Sequence, residues 1–80
     1  MNVEIKVFSS LRRFVPDSAM YRENDLWDIP AGTTTGGLLK ILCIPASDIH
    51  IVLVNGRKSE NGTVLKEGDV INFFPLIAGG

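Results

Sequence analysis

The chain has 80 residues, of which 45% are hydrophobic and 21% charged, and its formal net charge is −1. This length allows one domain with a small core. The charge balance argues against nucleic-acid binding, which needs clustered cations opposite the phosphates. One cysteine, Cys43, cannot form an internal disulfide. The longest apolar run, residues 51–54, is far shorter than the ~20 residues of a membrane span. We therefore expect a soluble, cytoplasmic protein with neither membrane nor nucleic-acid partners.

The first predicted element is a strand over residues 3–8, where apolar and charged side chains alternate with period two. Phe8 interrupts the polar face of this strand. Residues 9–20 then form a long connection. Within it, Leu11 and Phe14 are three residues apart and can pack one short helical turn onto the core.

A second, weaker strand is predicted over residues 21–29, and a helix follows it. Thr34 is the predicted N-cap, because its hydroxyl can accept a free backbone N–H of the first turn. We expect the helix to run to about Ile44 and to stop before Pro45. Its apolar face, with spacing i, i+3, i+4, consists of Leu38, Ile41 and Leu42. Cys43 widens that face and is predicted to be buried in the core.

The second half of the chain predicts a hairpin and a last strand. Residues 49–54 are apolar almost throughout, which is typical of a strand in the middle of a sheet. Asn55 and Gly56 follow directly and predict a tight turn, since both tolerate positive φ. A short return segment is expected near Lys58, and the final strand covers residues 70–74. The order strand, strand, helix, strand, hairpin, strand indicates an α+β domain.

The sequence ends in Gly79-Gly80, a pair that an average glycine content would place at a chain end in roughly one chain in 200. With the segments before it, this ending resembles the MoaD/ThiS family of sulfur carriers, and more closely the MoaD-like branch. The segments that carry the resemblance are 6–8, 11–12, Thr34 with 38–39, 52–57, 65–69, 74–75 and 78–80. Two positions depart from the family pattern: Leu76 replaces a second proline, and Gly37 stands where an acidic residue is common.

The resemblance implies a ubiquitin-like β-grasp fold. In that fold a mixed four- to five-stranded sheet packs on one main helix, and the first and last strands lie side by side and parallel in the middle. The implied division is a β-grasp domain over residues 1–75 and a flexible tail over residues 76–80 that carries Gly-Gly.

The resemblance also implies a function. A MoeB/ThiF-like activating enzyme would use MgATP to adenylate the carboxylate of Gly80, and sulfide would then displace AMP to leave a thiocarboxylate. The tail, with Gly79 and Ala78, would enter an acceptor enzyme such as the large subunit of molybdopterin synthase. The expected role is sulfur donation in molybdopterin (molybdenum or tungsten cofactor) biosynthesis. The domain would bind no cofactor or metal itself, and it would be a carried substrate rather than an enzyme.

Phe8 and Phe74 fall on the solvent-side parity of two strands predicted to be neighbours. Exposed aromatic side chains in contact indicate a partner surface, and in the family this sheet face binds the activating enzyme and the partner subunit. The alternative is that residues 9–20 fold over both rings as a second small core.

Other functions stay open at this point. The chain could be a ubiquitin-like modifier joined to lysines through Gly80, a sulfur carrier for thiamin thiazole or tRNA thiolation, or a binding module with incidental glycines. Residues 32–37 superficially resemble a phosphate loop but lack its Gly-Lys-Ser/Thr ending. Cys43 and His50 are too few for a zinc site, which needs three or four ligands.

Overall fold

The computed structural model describes residues 1–60 and 62–75. Its elements in chain order are β1 (Asn2–Val7), a 3₁₀ helix (Ser9–Phe14), β2 (Leu26–Asp28), α1 (Thr35–Ile41), a second 3₁₀ helix (Ala46–Asp48), β3 (Ile49–Val54), β4 (Arg57–Lys58) and β5 (Val70–Pro75). No helix among these residues is long and apolar enough to cross a membrane.

The five strands form one mixed sheet in the order β2-β1-β5-β3-β4. The first and last strands, β1 and β5, are parallel neighbours at its centre, with Ile5 opposite Ile71. The other three pairings are antiparallel. This arrangement confirms the β-grasp architecture. Because β5 is central, the last strand of the chain leaves the middle of the sheet rather than an edge.

The core lies between α1 and one face of the sheet. Every second residue of β1 and β5 points into it, and Phe73 is fully buried there. Buried residues from the two elements are Val3, Ile5, Ile71, Leu38, Leu39 and Leu42. Leu11, in the first 3₁₀ helix, packs into the same core at 1% exposure. The predicted helical turn over Leu11 and Phe14 is therefore present.

The helix begins where the sequence predicts. Thr34 has extended backbone angles, and its side-chain oxygen accepts a hydrogen bond of 3.0 Å from the backbone N–H of Gly37. A Cβ built at Gly37 would lie 3.3 Å from that same hydroxyl oxygen. The departure from the family pattern at Gly37 thus leaves room for the capping hydroxyl.

The helix ends earlier than predicted, and Cys43 is exposed rather than buried. Cys43 has φ = +59°, so the chain turns out of the helix at this residue. Two hydrogen bonds define the turn: Cys43 N–H donates to the Lys40 carbonyl, and Ile44 N–H donates to the Leu39 carbonyl. This pattern is a Schellman cap, in which the left-handed residue points away from the core and the next one packs back onto it.

The predicted second strand is also shorter than expected. Only Leu26–Asp28 form β2, and the preceding residues fold back on it as a small hairpin: Asp28 N–H donates to the Met20 carbonyl at 2.7 Å. Asn24 and Asp25 both have positive φ at the bend. Turn chemistry at these two residues therefore interrupts a segment whose apolar spacing resembles one strand.

Asn55 and Gly56 form the predicted hairpin turn between β3 and β4, with φ values of +53° and +82°. The Asn55 side chain donates to Asp69 at 2.9 Å and accepts from the Val70 N–H at 2.9 Å. The turn is thereby fixed to the start of β5, which holds β3 and β5 in register.

Candidate functional site

The predicted reactive residue, Gly80, and its neighbours Gly79 and Ala78 lie outside the described residues. The described part of the site is the end of β5 from which the chain continues into the tail. Phe74 and Pro75 are the last two residues of that strand. The geometry around them decides what a protein that takes up the tail meets on the domain.

Phe8 and Phe74 stack against each other at this end of the sheet. Their ring centroids are 4.8 Å apart, and the ring planes differ by 4°. A hydrogen bond from Phe8 N–H to the Phe73 carbonyl, 3.2 Å long, carries the parallel pairing one residue past β1. Backbone pairing therefore places the two aromatic side chains side by side, and we call them the phenylalanine pair.

The phenylalanine pair lies on the outer face of the sheet, which we define as the face away from α1. Phe73 is fully buried, and the strand alternation turns Phe74 the opposite way. Phe8 remains 40% exposed. The connection after β1 packs against the core through partly buried Phe14, Val15 and Met20. It does not form a second core over the two rings.

A third apolar side chain joins this surface, and the sequence did not single it out. Ile51 of β3 lies directly opposite Phe74. The ladder between β3 and β5 shifts register between Ile49 and Ile51, so Ile49 packs on the core while Ile51 points outward. Because residues 49–54 are apolar almost throughout, their sequence carries no alternation that could have shown which face each residue takes.

Charged groups lie beside the apolar surface rather than within it. Glu4 and Lys6 of β1 form an exposed ion pair at 3.5 Å on the outer face. Asp28, on β2, binds the N-terminal ammonium group at 3.2 Å. That hydrogen bond and charge lower the pKa of the Asp28 carboxyl, with a smaller contribution from Arg22.

The other candidate residues do not assemble into a site. Among residues 1–60 and 62–75, no three His, Cys, Asp or Glu side chains lie close enough to hold a metal ion. Cys43 follows the end of α1, and His50 lies in the irregular part of β3; both are exposed. The glycine- and threonine-rich segment over residues 32–37 leads into and starts α1, with Thr34 as its cap.

The fold and the exposed end of the central strand place this chain in the class of ubiquitin-like β-grasp proteins. The ThiS family matches residues 5–80, so the match runs to the last residue. The chain belongs to the ThiS family. No curated protein sequence matches it.

Solved structures with the same fold come from Haloferax volcanii. The chain is similar to SAMP1, with a TM-score of 0.66 and 20% identity over all of both chains. A second structure, of small archaeal modifier protein 1, gives a TM-score of 0.65 and 21% identity, covering 95% of this chain and 98% of that one. The solution structure of the HVO 2177 protein gives 0.69 and 25%, covering all of this chain and 87% of that one.

The family and the fold together define the general role. The chain is a small protein of the sulfur-carrier and ubiquitin-like modifier type. Proteins of this type are not catalysts themselves, and they work with activating and acceptor enzymes.

Proposed function

We propose that the chain carries sulfur as a thiocarboxylate formed at the carboxylate of Gly80. The observation that supports this most strongly is the family match, which includes Gly79 and Gly80 at the end of the chain. The five residues after Pro75 give a reach of about 16 Å when extended. That reach is enough for a terminal carboxylate to enter a partner's active site while the domain stays outside.

The chemistry requires activation, because a carboxylate is a poor acyl electrophile. An oxygen of the Gly80 carboxylate attacks the α-phosphorus of ATP, bound with Mg²⁺ by the activating enzyme, and pyrophosphate leaves. Sulfide then attacks the carbonyl carbon of the acyl-adenylate, and AMP leaves with the bonding electrons. Glycine suits a narrow channel, because it has no side chain and accepts φ values that other residues resist.

We further propose molybdopterin as the product that receives the sulfur. The proposed activating enzyme is MoeB/ThiF-like, and the proposed acceptor is the large subunit of a molybdopterin synthase. This choice rests on the long connection between β1 and β2, which holds the 3₁₀ helix Ser9–Phe14 and fits the MoaD-like branch. In this proposal the domain itself holds no cofactor and contributes Phe8, Phe74, Ala78 and Gly79 as binding residues.

Conjugation to lysines is the second candidate function. The structural neighbours named small archaeal modifier protein and SAMP1 favour it, since the chain shares their fold over nearly its whole length. Both functions need the same activation of Gly80. They differ in the nucleophile that receives the acyl group: sulfide in the carrier and a lysine amine in the modifier.

The intact mass of the protein tests the proposal. Wild type and a variant lacking Gly80 are incubated with extract of the host, MgATP and a sulfide source, and then analysed by mass spectrometry. We expect wild type to gain the mass difference between sulfur and oxygen, and the truncated variant to stay unchanged.

The two candidate functions give different products in the same experiment. Adducts joined by an isopeptide bond between Gly80 and lysines of other proteins would establish the modifier. If wild type gains neither sulfur nor protein adducts in an extract that thiolates a known carrier, the activation of Gly80 is disproved.

A further inference from the structure

The outer face of the sheet carries a row of four residues next to the phenylalanine pair. The strand registers place Lys6 opposite Asn72, Asn72 opposite Leu53, and Leu53 opposite Lys58. The row therefore crosses β1, β5, β3 and β4, with one lysine at each end. Asn72 lies two residues before Phe74 on β5, so both side chains point to the same face.

The spacing of this row is fixed by the sheet. Adjacent strands are about 4.8 Å apart, so the Cα atoms of Lys6 and Lys58 are separated by about 14 Å. Leu53 and Asn72 lie between them. The outer face thus presents an apolar end, formed by the phenylalanine pair and Ile51, and beside it a row with an ammonium group on either side.

The charges on these two rows oppose the charge of the whole chain, which is −1. Neither row contains a carboxylate among the described residues. The nearest one on this face, Glu4, is one row further away and contacts Lys6 at 3.5 Å. Lys6 is 47% exposed, and exposed pairs of this kind are weak and easily exchanged. Arg12 and Asp25 line a recess beside Phe8, and their charges offset each other.

We propose that Lys6 and Lys58 dock the activating enzyme by pairing with two carboxylates on its surface, one on either side of an apolar contact with the phenylalanine pair. This inference rests on the proposed function, because it assumes that Gly80 is activated. It names the activating enzyme because both the carrier and the modifier need that partner, whatever the final acceptor is.

The two parts of the surface contribute in different ways. The aromatic rings exclude water at the contact, whereas charges at the edge of an interface mainly accelerate encounter and set orientation. Glu4 competes with the partner for Lys6, so its removal leaves that lysine free. Docking in this orientation holds the end of β5, and with it the start of the tail, against the enzyme.

The test measures association rates between the purified activating enzyme of the host and full-length variants of this protein. The test variant is Lys6→Gln/Lys58→Gln. The control is Lys40→Gln/Lys66→Gln, which removes the same two charges away from the outer face. We expect the test variant to associate about tenfold more slowly at low ionic strength. The control should match wild type, and Glu4→Gln should associate faster than wild type.

High salt provides the second condition. At about 1 M ionic strength the screening length falls to about 3 Å, so the rates of all variants should converge. ATP–pyrophosphate exchange by wild type, measured alongside, separates the two proposals. If wild type is activated but the two double variants associate at equal rates, the docking inference is wrong and the proposed function stands. If wild type is not activated, both are overturned.

Discussion

Phe73 and Phe74 show how neighbouring residues of the same type take different roles. Both belong to β5, but the strand alternation buries Phe73 completely and turns Phe74 to the outer face, against Phe8. Burying a phenylalanine side chain is one of the larger contributions to a small core. The stacked ring of Phe74 contributes less to stability and remains available to a partner.

We expect Phe74→Ala to weaken binding to the activating enzyme by at least tenfold, with only a small loss of stability. Phe73→Leu is the matched control: it should lower the free energy of unfolding by about 1–2 kcal/mol and leave binding by the folded protein close to wild type. Urea unfolding and titration calorimetry measure the two effects. A loss of stability in Phe74→Ala as large as that in Phe73→Leu, with unchanged binding, would contradict the docking role.

Thr34 acts at the residue scale through one hydroxyl. Because that oxygen accepts the Gly37 N–H, Thr34→Ala should lower the free energy of unfolding by about 1 kcal/mol. Thr34→Ser keeps the hydroxyl and should lose little of this. Chemical denaturation of the three proteins checks the prediction, and equal losses in both variants would show that the threonine methyl group, rather than the cap, is responsible.

At the scale of elements, the C-terminus of α1 combines a regular cap with an unusual residue. Schellman caps usually place glycine at the position with positive φ, because a Cβ there is strained. In this chain Cys43 occupies that position. The strain is offset by Ile44 and Leu39, which the cap brings into the core at 4% and 6% exposure.

Cys43→Gly should therefore stabilise the protein, by about 0.5–1 kcal/mol after the greater freedom of glycine in the unfolded chain is counted. Cys43→Ala removes the thiol but keeps the Cβ, so it should give no comparable gain. Urea midpoints, at an unchanged slope, measure both. Equal stabilisation by glycine and alanine would mean that the thiol, and not the backbone angle, carries the strain.

At the scale of the whole molecule, the fold and the proposed chemistry occupy different parts of the chain. The core is formed by residues before Phe74, whereas the proposed reactive carboxylate belongs to Gly80. The β-grasp topology connects the two, because the central strand β5 delivers the chain to one end of the sheet beside the phenylalanine pair.

We expect Gly80→Ala, or one residue added after Gly80, to abolish adenylation without changing thermal stability. An added methyl group or residue obstructs a channel that admits only glycine. Gly62→Ala is the control, since a Cβ at Gly62 meets no atom within 4 Å. ATP–pyrophosphate exchange with the activating enzyme and a thermal melt measure the two effects, and normal exchange with an extended tail would refute the mechanism.

The sequence by itself determined the features that depend on local chemistry. Alternation gave β1 and the last strand, Thr34 gave the helix start, and Asn55-Gly56 gave the hairpin, because periodicity, capping and turn formation involve residues close together in the chain. The Gly-Gly ending and the motifs before it indicated the family. The role of Gly80 stays a prediction.

Only the tertiary structure decided which distant residues meet and which face they share. The parallel pairing of β1 with β5 stacks Phe8 on Phe74, and the irregular register of β3 turns Ile51 outward. The left-handed angle at Cys43, which exposes a residue predicted to be buried, follows from the need of Ile44 to return to the core. These features depend on pairing and packing between segments far apart in sequence, so no local pattern of residues encodes them.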